Sequence, residues 1–312
     1  MIRFAYNIIS WDEETNRPVL GGMADRMVSP IFPHLPEYEV DRWPAEGRLN
    51  AYLSMPGIYG DRFVKGGVLV SHGIADKGIR LAQNLKDSFS YVTVPGPLHA
   101  KRLAGSGYPA GKIVEVGYPK LDPIFQGKVE PPPRDDRIRV VYAPTHGGGG
   151  EHKHLRDTRP PRINAAKRTS YWTKDEVLRR LDPDEFDVVV ALHPRHRPDR
   201  QATLQEYVGA DVVIADGGST IFEAWALGIP VVFPSWITAA GHRGSGTIEA
   251  AIYAKKIGSH CWRAYDLPRL VKIAARDGMR DEEVWVIEKI LPTEYRGVSG
   301  RLHAEFLLSL DH

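Results

Sequence analysis

DVVIADGGSTIFEAWALGIPVVFPSW, residues 211–236, is the stretch whose reading decides the fold. Val212, Val213, Ile214 and Ala215 form a short apolar, β-branched run, which predicts a buried parallel strand. Asp216, Gly217 and Gly218 break that run, and Ser219 or Thr220 is placed to cap a helix through Leu227. Gly228 and Pro230 stop the helix, and Val231 to Phe233 open the next strand. The unit is strand, glycine turn, helix, strand. A glycine turn leaves room for a phosphate, and a helix start supplies free N–H groups and a positive dipole end. Glu223 lies one turn along from Ser219 and Thr220 and shares their face. The face therefore predicts hydroxyl donors for a diphosphate and a carboxylate suited to ribose hydroxyls. The plainer alternative is a βαβ unit whose glycines serve only the turn.

Outward from this unit, the chain of 312 residues has room for two domains of about 150 each. With 42% hydrophobic and 26% charged residues the composition is that of a globular protein, and a formal charge of +2 does not argue for nucleic acid. Cys261 is the only cysteine, so no intramolecular disulfide is possible and a reducing compartment fits. Residues 1–14 have no long apolar core and no run approaches about 18 apolar residues. The expected location is cytoplasmic, or peripheral at a membrane surface.

Towards the N-terminus, strands are expected at 4–9, 48–53, 67–70, 91–94 and 113–116, with helices at 75–85 and from 97 to about 104. Residues 11–47 show weak periodicity and predict loops with one helix at most. Strands alternating with helices imply a parallel sheet covered on both faces, with ligands at the carboxyl ends of its strands. His72, in Ser71-His72-Gly73, follows the 67–70 strand, where an imidazole can take a proton near neutral pH. The alternative is a loop histidine that fixes its own turn.

Residues 127–137, GKVEPPPRDDR, read as a semi-rigid linker suited to a cleft hinge. Beyond it a second set begins, with strands at 138–142 and 187–192, helices at 172–181 and 204–208, then the opening unit. Helices follow to about 255, at 266–275, 282–290 and 302–310. The expected division is 1–130 on the acceptor side, 137–295 on the donor side, and a C-terminal helix, 296–312, crossing back. Residues 151–168 carry six Lys or Arg against two acids, a net of +4, and predict either a solvated loop or a flap over an anionic substrate. His193 closes the 187–192 strand beside Arg195, His196 and Arg197, a position suited to holding phosphate and stabilising a leaving group. Arg243, in a second glycine-rich loop, is placed to clamp phosphate. The His193/His196 and His152/His154 pairs lack the Cys or carboxylate partners of a zinc site.

Taken in order, these motifs resemble the CDP-glycerol glycerophosphotransferase family, the teichoic-acid polymerases. Ser71-His72-Gly73 looks like that family's His-Gly motif. Gly117-Tyr118-Pro119-Lys120-Leu121-Asp122 looks like its Gly-Tyr-Pro-Arg-Asn-Asp segment. Tyr142-Ala143-Pro144-Thr145 is identical to its Tyr-Ala-Pro-Thr strand end, Leu192-His193-Pro194 to its Leu-His-Pro, and Asp216 to Ser219 stand where it has Asp-Tyr-Ser-Ser. The match runs from about residue 67 onward. It implies an α/β fold of two Rossmann-like domains facing a cleft, the GT-B fold, with His72 as base, His193 in donor phosphate chemistry, and Thr145 in the donor site. The chain departs at Gly217-Gly218, which replace Tyr-Ser, and keeps only Lys77 and Arg80 of the basic residues after His-Gly. It also lacks an evident membrane-docking helix.

The function these readings imply is transfer of a glycosyl or glycerophosphoryl group from a nucleotide-diphosphate donor to an acceptor hydroxyl. His72 and His193 would be catalytic. Thr145, Asp216, Gly217, Gly218, Ser219, Thr220, Glu223 and Arg243 would bind the donor. The helix start would serve as counter-charge, with no obligatory metal or cofactor. The acceptor would be a cell-envelope polymer. Three alternatives share the donor site: a bacteriophage-type glucosyltransferase acting on modified DNA bases, a UDP-N-acetylglucosamine 2-epimerase-like enzyme, and a non-catalytic nucleotide-sugar-binding protein.

Overall fold

The computed structural model describes residues 1–6, 11–12, 14–70, 73–75, 85–145, 169–238 and 246–310. Among these, the first half contains strands β1 (Ile2–Ala5), β2 (Trp11–Asp12), β3 (Arg17–Pro18), β4 (Tyr38–Asp41), β5 (Leu49–Tyr52), β6 (Val68–Val70), β7 (Tyr91–Val94) and β8 (Ile113–Glu115). Its helices are α1 (Met23–Val28), α2 (Pro97–Gly105) and the single turn α3 (Asp122–Phe125). The second half contains β9 (Ile138–Tyr142), β10 (Phe186–Val190), β11 (Val212–Ile214), β12 (Val231–Phe233) and β13 (Ser259–His260). Helices α4 (Lys174–Leu178), α5 (Ser219–Ala226), α6 (Ile248–Lys255), α7 (Leu267–Asp277), α8 (Asp281–Ile290) and α9 (Ser299–Leu310) surround it.

Two all-parallel sheets result, in the orders β4-β1-β5-β6-β7-β8 and β10-β9-β11-β12-β13. In each, the second strand to enter the sheet lies outside the first and the third lies on its other side, so the order reverses beside the first strand. That reversal splays the flanking connections to opposite faces and opens a crevice at the carboxyl ends of the strands. In the second sheet the crevice lies between β9 and β11.

Side-chain alternation sorts β9 and β11 between two cores. Val140, Tyr142, Val212 and Ile214 pack outward with Val177, Phe186 and Leu267. Val141, Ala143, Val213 and Ala215 face inward, into a buried cluster shared with Phe4, Val70 and Tyr118 of the first half. α5 lies within this shared core, where Ile221, Phe222, Ala224 and Trp225 are all buried. A helix apolar on nearly every face needs cover on nearly every face, and α8, packed against it, supplies part of that cover.

The structure departs from the sequence reading in several places. The first strand begins at Ile2 rather than 4 and covers Ile2–Ala5, while residues 7–9 of the expected strand lie outside the described residues. Residues 11–47 hold α1, the β2–β3 hairpin and the edge strand β4. β4 escapes an apolar-pattern reading because Glu39 and Asp41 are charged, and both are paired with the Arg3 guanidinium on β1. The 172–181 helix is shorter: a 3₁₀ turn (Ser170–Thr173) leads into α4. The proline linker is fastened to the second half, with Arg134 ion-paired to Asp211 at 2.7 Å and the Glu130 carbonyl accepting from Gln205. α9 lies on the first half, where its Gly300 amide donates to Asp122 at 2.7 Å and Phe306 meets Tyr91 edge-on.

Candidate functional site

The crevice between β9 and β11 is built by three short segments. After β9, the chain passes through Pro144 and Thr145. After β11, Asp216, Gly217 and Gly218 turn into α5. After β10, the chain continues through Ala191 to His193 and Pro194. Gly218 takes the N-cap position with φ 75° and ψ −164°, a conformation open to glycine and strained for other residues. Ser219 is therefore the first helical residue, not the cap, and no side chain caps α5. The Thr220 hydroxyl donates to the Gly217 carbonyl at 3.1 Å instead. The expected side-chain cap is absent because the glycine turn delivers the backbone directly into the helix, and the first α5 amides keep their donors for a ligand.

Asp216 is fully buried and braces the turn. Its Oδ1 accepts the Thr145 amide at 2.8 Å and its Oδ2 accepts the Ser170 amide. Its carbonyl accepts the Tyr253 hydroxyl at 3.0 Å. Both carboxylate oxygens are thus engaged by protein, and Asp216 shapes the glycine turn through its neighbours. The buried Thr145 Oγ1 has no hydrogen-bond partner among the described residues.

A cavity of about 220 Å³ opens here, lined from both halves. Met23, Gly73, Ala75, Tyr118 and Lys120 come from the first half; Thr145, His193, Thr203, Gly217, Gly218, Ser219, Thr220 and Glu223 come from the second. Thr145, His193 and the 217–220 turn, which the sequence singled out separately, are thus brought together. Arg197, one of the potential cations beside His193, pairs with Glu206 at 2.6 Å and Asp199 at 3.3 Å. His196 stacks on Tyr171 at 4.0 Å. His72, Arg243, Lys77, Arg80 and the basic tract 151–168 lie outside the described residues.

Glu223 differs most from its expected role. Its carboxylate is 1% exposed, and it accepts Lys120 Nζ on both oxygens at 2.8 Å. The Tyr118 hydroxyl donates to Oε1 at 2.7 Å and the Tyr207 hydroxyl to Oε2 at 2.8 Å. Four hydrogen bonds fill the lone-pair positions of a carboxylate, so the expected ribose contact finds no free acceptor. Burial first, then the Glu223 charge, push both tyrosine hydroxyls well above their ordinary pKa, which keeps them donors. The sequence signal for this cluster was present in the Gly117–Asp122 segment, but a Lys–Glu pair separated by about a hundred residues has no period to reveal it.

The same segment fastens α9. The Tyr118 amide donates to Ser299 Oγ at 2.9 Å. Gly117, at φ 80°, approaches Ser299 so closely that a Cβ there would sit 2.1 Å from its hydroxyl.

Among the described residues no three His, Cys, Asp or Glu side chains are grouped as a metal site would require, and no helix is long and apolar enough to cross a membrane. No protein-family model and no curated protein matches the sequence. Solved structures match it in fold. A variant of the wall teichoic acid polymerase TagF gives a TM-score of 0.62 over 100% of this chain and 90% of that chain, at 13% identity. A second TagF structure gives 0.61 over the same shares at 12% identity. A TagF variant soaked with CDPG gives 0.61 over 99% and 88%, at 11% identity. At such identities the likeness is one of architecture: this chain has the GT-B arrangement of two parallel α/β sheets.

Proposed function

We propose that this protein is a GT-B transferase that moves a glycosyl or glycerophosphoryl group from a nucleotide-diphosphate donor to an acceptor hydroxyl. The observation that carries the reading is the uncapped start of α5, opened by Gly218 at the strand-order reversal of the second sheet and facing a cavity walled by both halves. An anion is the ligand such a helix end favours. Thr145 Oγ1, buried without a partner among the described residues, offers a further donor to it.

In the proposed reaction the acceptor hydroxyl gives its proton to His72, which follows Val70 by two residues in the sequence and directly precedes Gly73. The freed oxygen forms a bond to the donor's sugar carbon or to its distal phosphorus. The bond to the nucleotide's phosphate breaks, and that oxygen keeps the electron pair. The α5 amides and His193 meet the charge so released. A fixed array of donors stabilises the leaving phosphate more than the bound diphosphate, which makes the array catalytic rather than merely binding.

A thermal-shift panel of CDP-, UDP-, GDP- and ADP-linked compounds tests the donor. One of them is expected to raise the melting temperature, a CDP-polyol if the transferred group is glycerophosphoryl. Absence of any shift across the panel overturns the reading. Product formed from the donor alone, with no acceptor added, would show an epimerase instead.

A further inference from the structure

We infer that Lys120 is a further substrate-binding residue, donating its remaining ammonium hydrogen to the donor's diphosphate, and that Glu223 is the positioning residue that aims it. This inference rests on the donor site proposed above and names a group from the opposite half that completes it.

A lysine ammonium carries three hydrogens and accepts nothing. Two are committed to the oxygens of Glu223, each at 2.8 Å. Lys120 makes no other hydrogen bond among the described residues, yet it lines the cavity beside Gly217, Gly218, Ser219 and Thr220. One donor on a fixed cation is thus left at the wall of the cleft.

Burying two charges loses their hydration, and a buried ion pair is commonly no more stabilising than apolar side chains of the same volume. Stability alone therefore does not explain a lysine with a side chain 9% exposed and a glutamate 1% exposed at the floor of a cleft. Recognition of an anion does. Glu223 sits four residues after Ser219 on α5, so its carboxylate holds the ammonium about one turn from the positive helix end. The helix amides and the ammonium then form one anion-binding surface, drawn from both halves of the protein.

A free lysine loses rotamer freedom when it grips a ligand; this one lost it on folding. Tyr118 and Tyr207 each hold one Glu223 oxygen, so the carboxylate cannot rotate to follow a mobile ammonium.

The test is the double variant K120M/E223Q, which removes both charges together and leaves the tyrosines an amide oxygen to bond. Calorimetric titration with CDP, UDP, GDP and ADP, and with the matching nucleoside monophosphates, is run beside the wild type. The expected result is a melting temperature near that of the wild type, diphosphate binding weakened by about 10- to 100-fold, and monophosphate binding changed by less than about threefold. Diphosphate binding equal to that of the wild type overturns the assignment of Lys120. Equal loss for both ligand classes overturns it too, since the pair would then be structural. A wild type that binds none of the four diphosphates overturns the donor reading itself. Should the double variant not fold, a wild-type structure with the bound diphosphate decides: Nζ within about 3.2 Å of a phosphate oxygen supports the assignment, and a separation beyond about 4.5 Å overturns it.

Discussion

Lys120 and Glu223, one from each half, meet as a buried ion pair whose two N–O distances are both 2.8 Å. Removing one partner strands the other. Glu223→Ala is predicted to lower unfolding free energy by roughly 3–5 kcal/mol, because Lys120 is left charged and Tyr118 and Tyr207 lose their shared acceptor. Glu223→Gln keeps one acceptor oxygen and is predicted to cost less. Urea unfolding of the two variants checks the order, and equal losses would contradict it.

Gly218 offers a separate handle. A Cβ there would stand 3.7 Å from Thr145 Oγ1, so space is not the obstacle. The obstacle is φ 75°, which a β-branched residue resists. Gly218→Val is predicted to destabilise the fold by about 1–3 kcal/mol and to abolish the nucleotide-induced rise in melting temperature, because the turn swings the α5 amides off the ligand. A normal ligand shift in this variant would argue that the phosphate sits elsewhere.

The anchor of α9 predicts a pH signature. Burial, the largest cause, pushes the Asp122 carboxyl up to about 6, against the hydrogen bond it accepts from the Gly300 amide. Between its unfolded value near 4 and about 6, the folded protein holds the proton more tightly, so Asp122 contributes stability that is lost as pH rises through that window. His303, fully buried with Nδ1 2.9 Å from the Ser299 carbonyl, is lowered to about 4. Its contribution runs the other way: present above about 6.5 and lost as pH falls towards 4. The two offset each other in the wild type. Asp122→Asn keeps an acceptor for the Gly300 amide but removes one arm, so its stability relative to wild type is predicted to fall by about 2 kcal/mol as pH drops from 6 to 4. Unfolding curves at the two pH values check this, and parallel profiles would refute it.

A helix end that serves as counter-charge makes a further demand. Turnover with the true donor and acceptor is predicted to survive exhaustive treatment with EDTA within about twofold, since the α5 dipole and amides would meet the leaving phosphate. Loss of activity with full recovery on adding magnesium would show that the charge is met by a metal instead.

Much of the architecture was legible in the sequence because most of the parallel strands are short apolar runs followed closely by glycine or proline. β7, β9 and β12 lie where the pattern puts them. β4 was not legible, since an edge strand carrying Glu39 and Asp41 has no apolar alternation. The 217–220 turn was legible because glycine chemistry is local. Its detail was not: Gly218 supplies the N-cap through φ alone, and no side-chain rule marks that. The Glu223 cluster was misread because its partners, Tyr118, Lys120 and Tyr207, come from distant segments that only the packing of the two halves brings together. The pairing of Arg197 with Glu206 likewise leaves no periodic mark in the sequence.

The central claim is that a diphosphate docks on the open amides of α5. Backbone NMR during titration with the diphosphate that binds tests it most directly. The account predicts the largest amide shifts at Gly218, Ser219 and Thr220, with smaller ones at Thr145. Silence at those four amides, with shifts gathered on another part of the molecule, would contradict it.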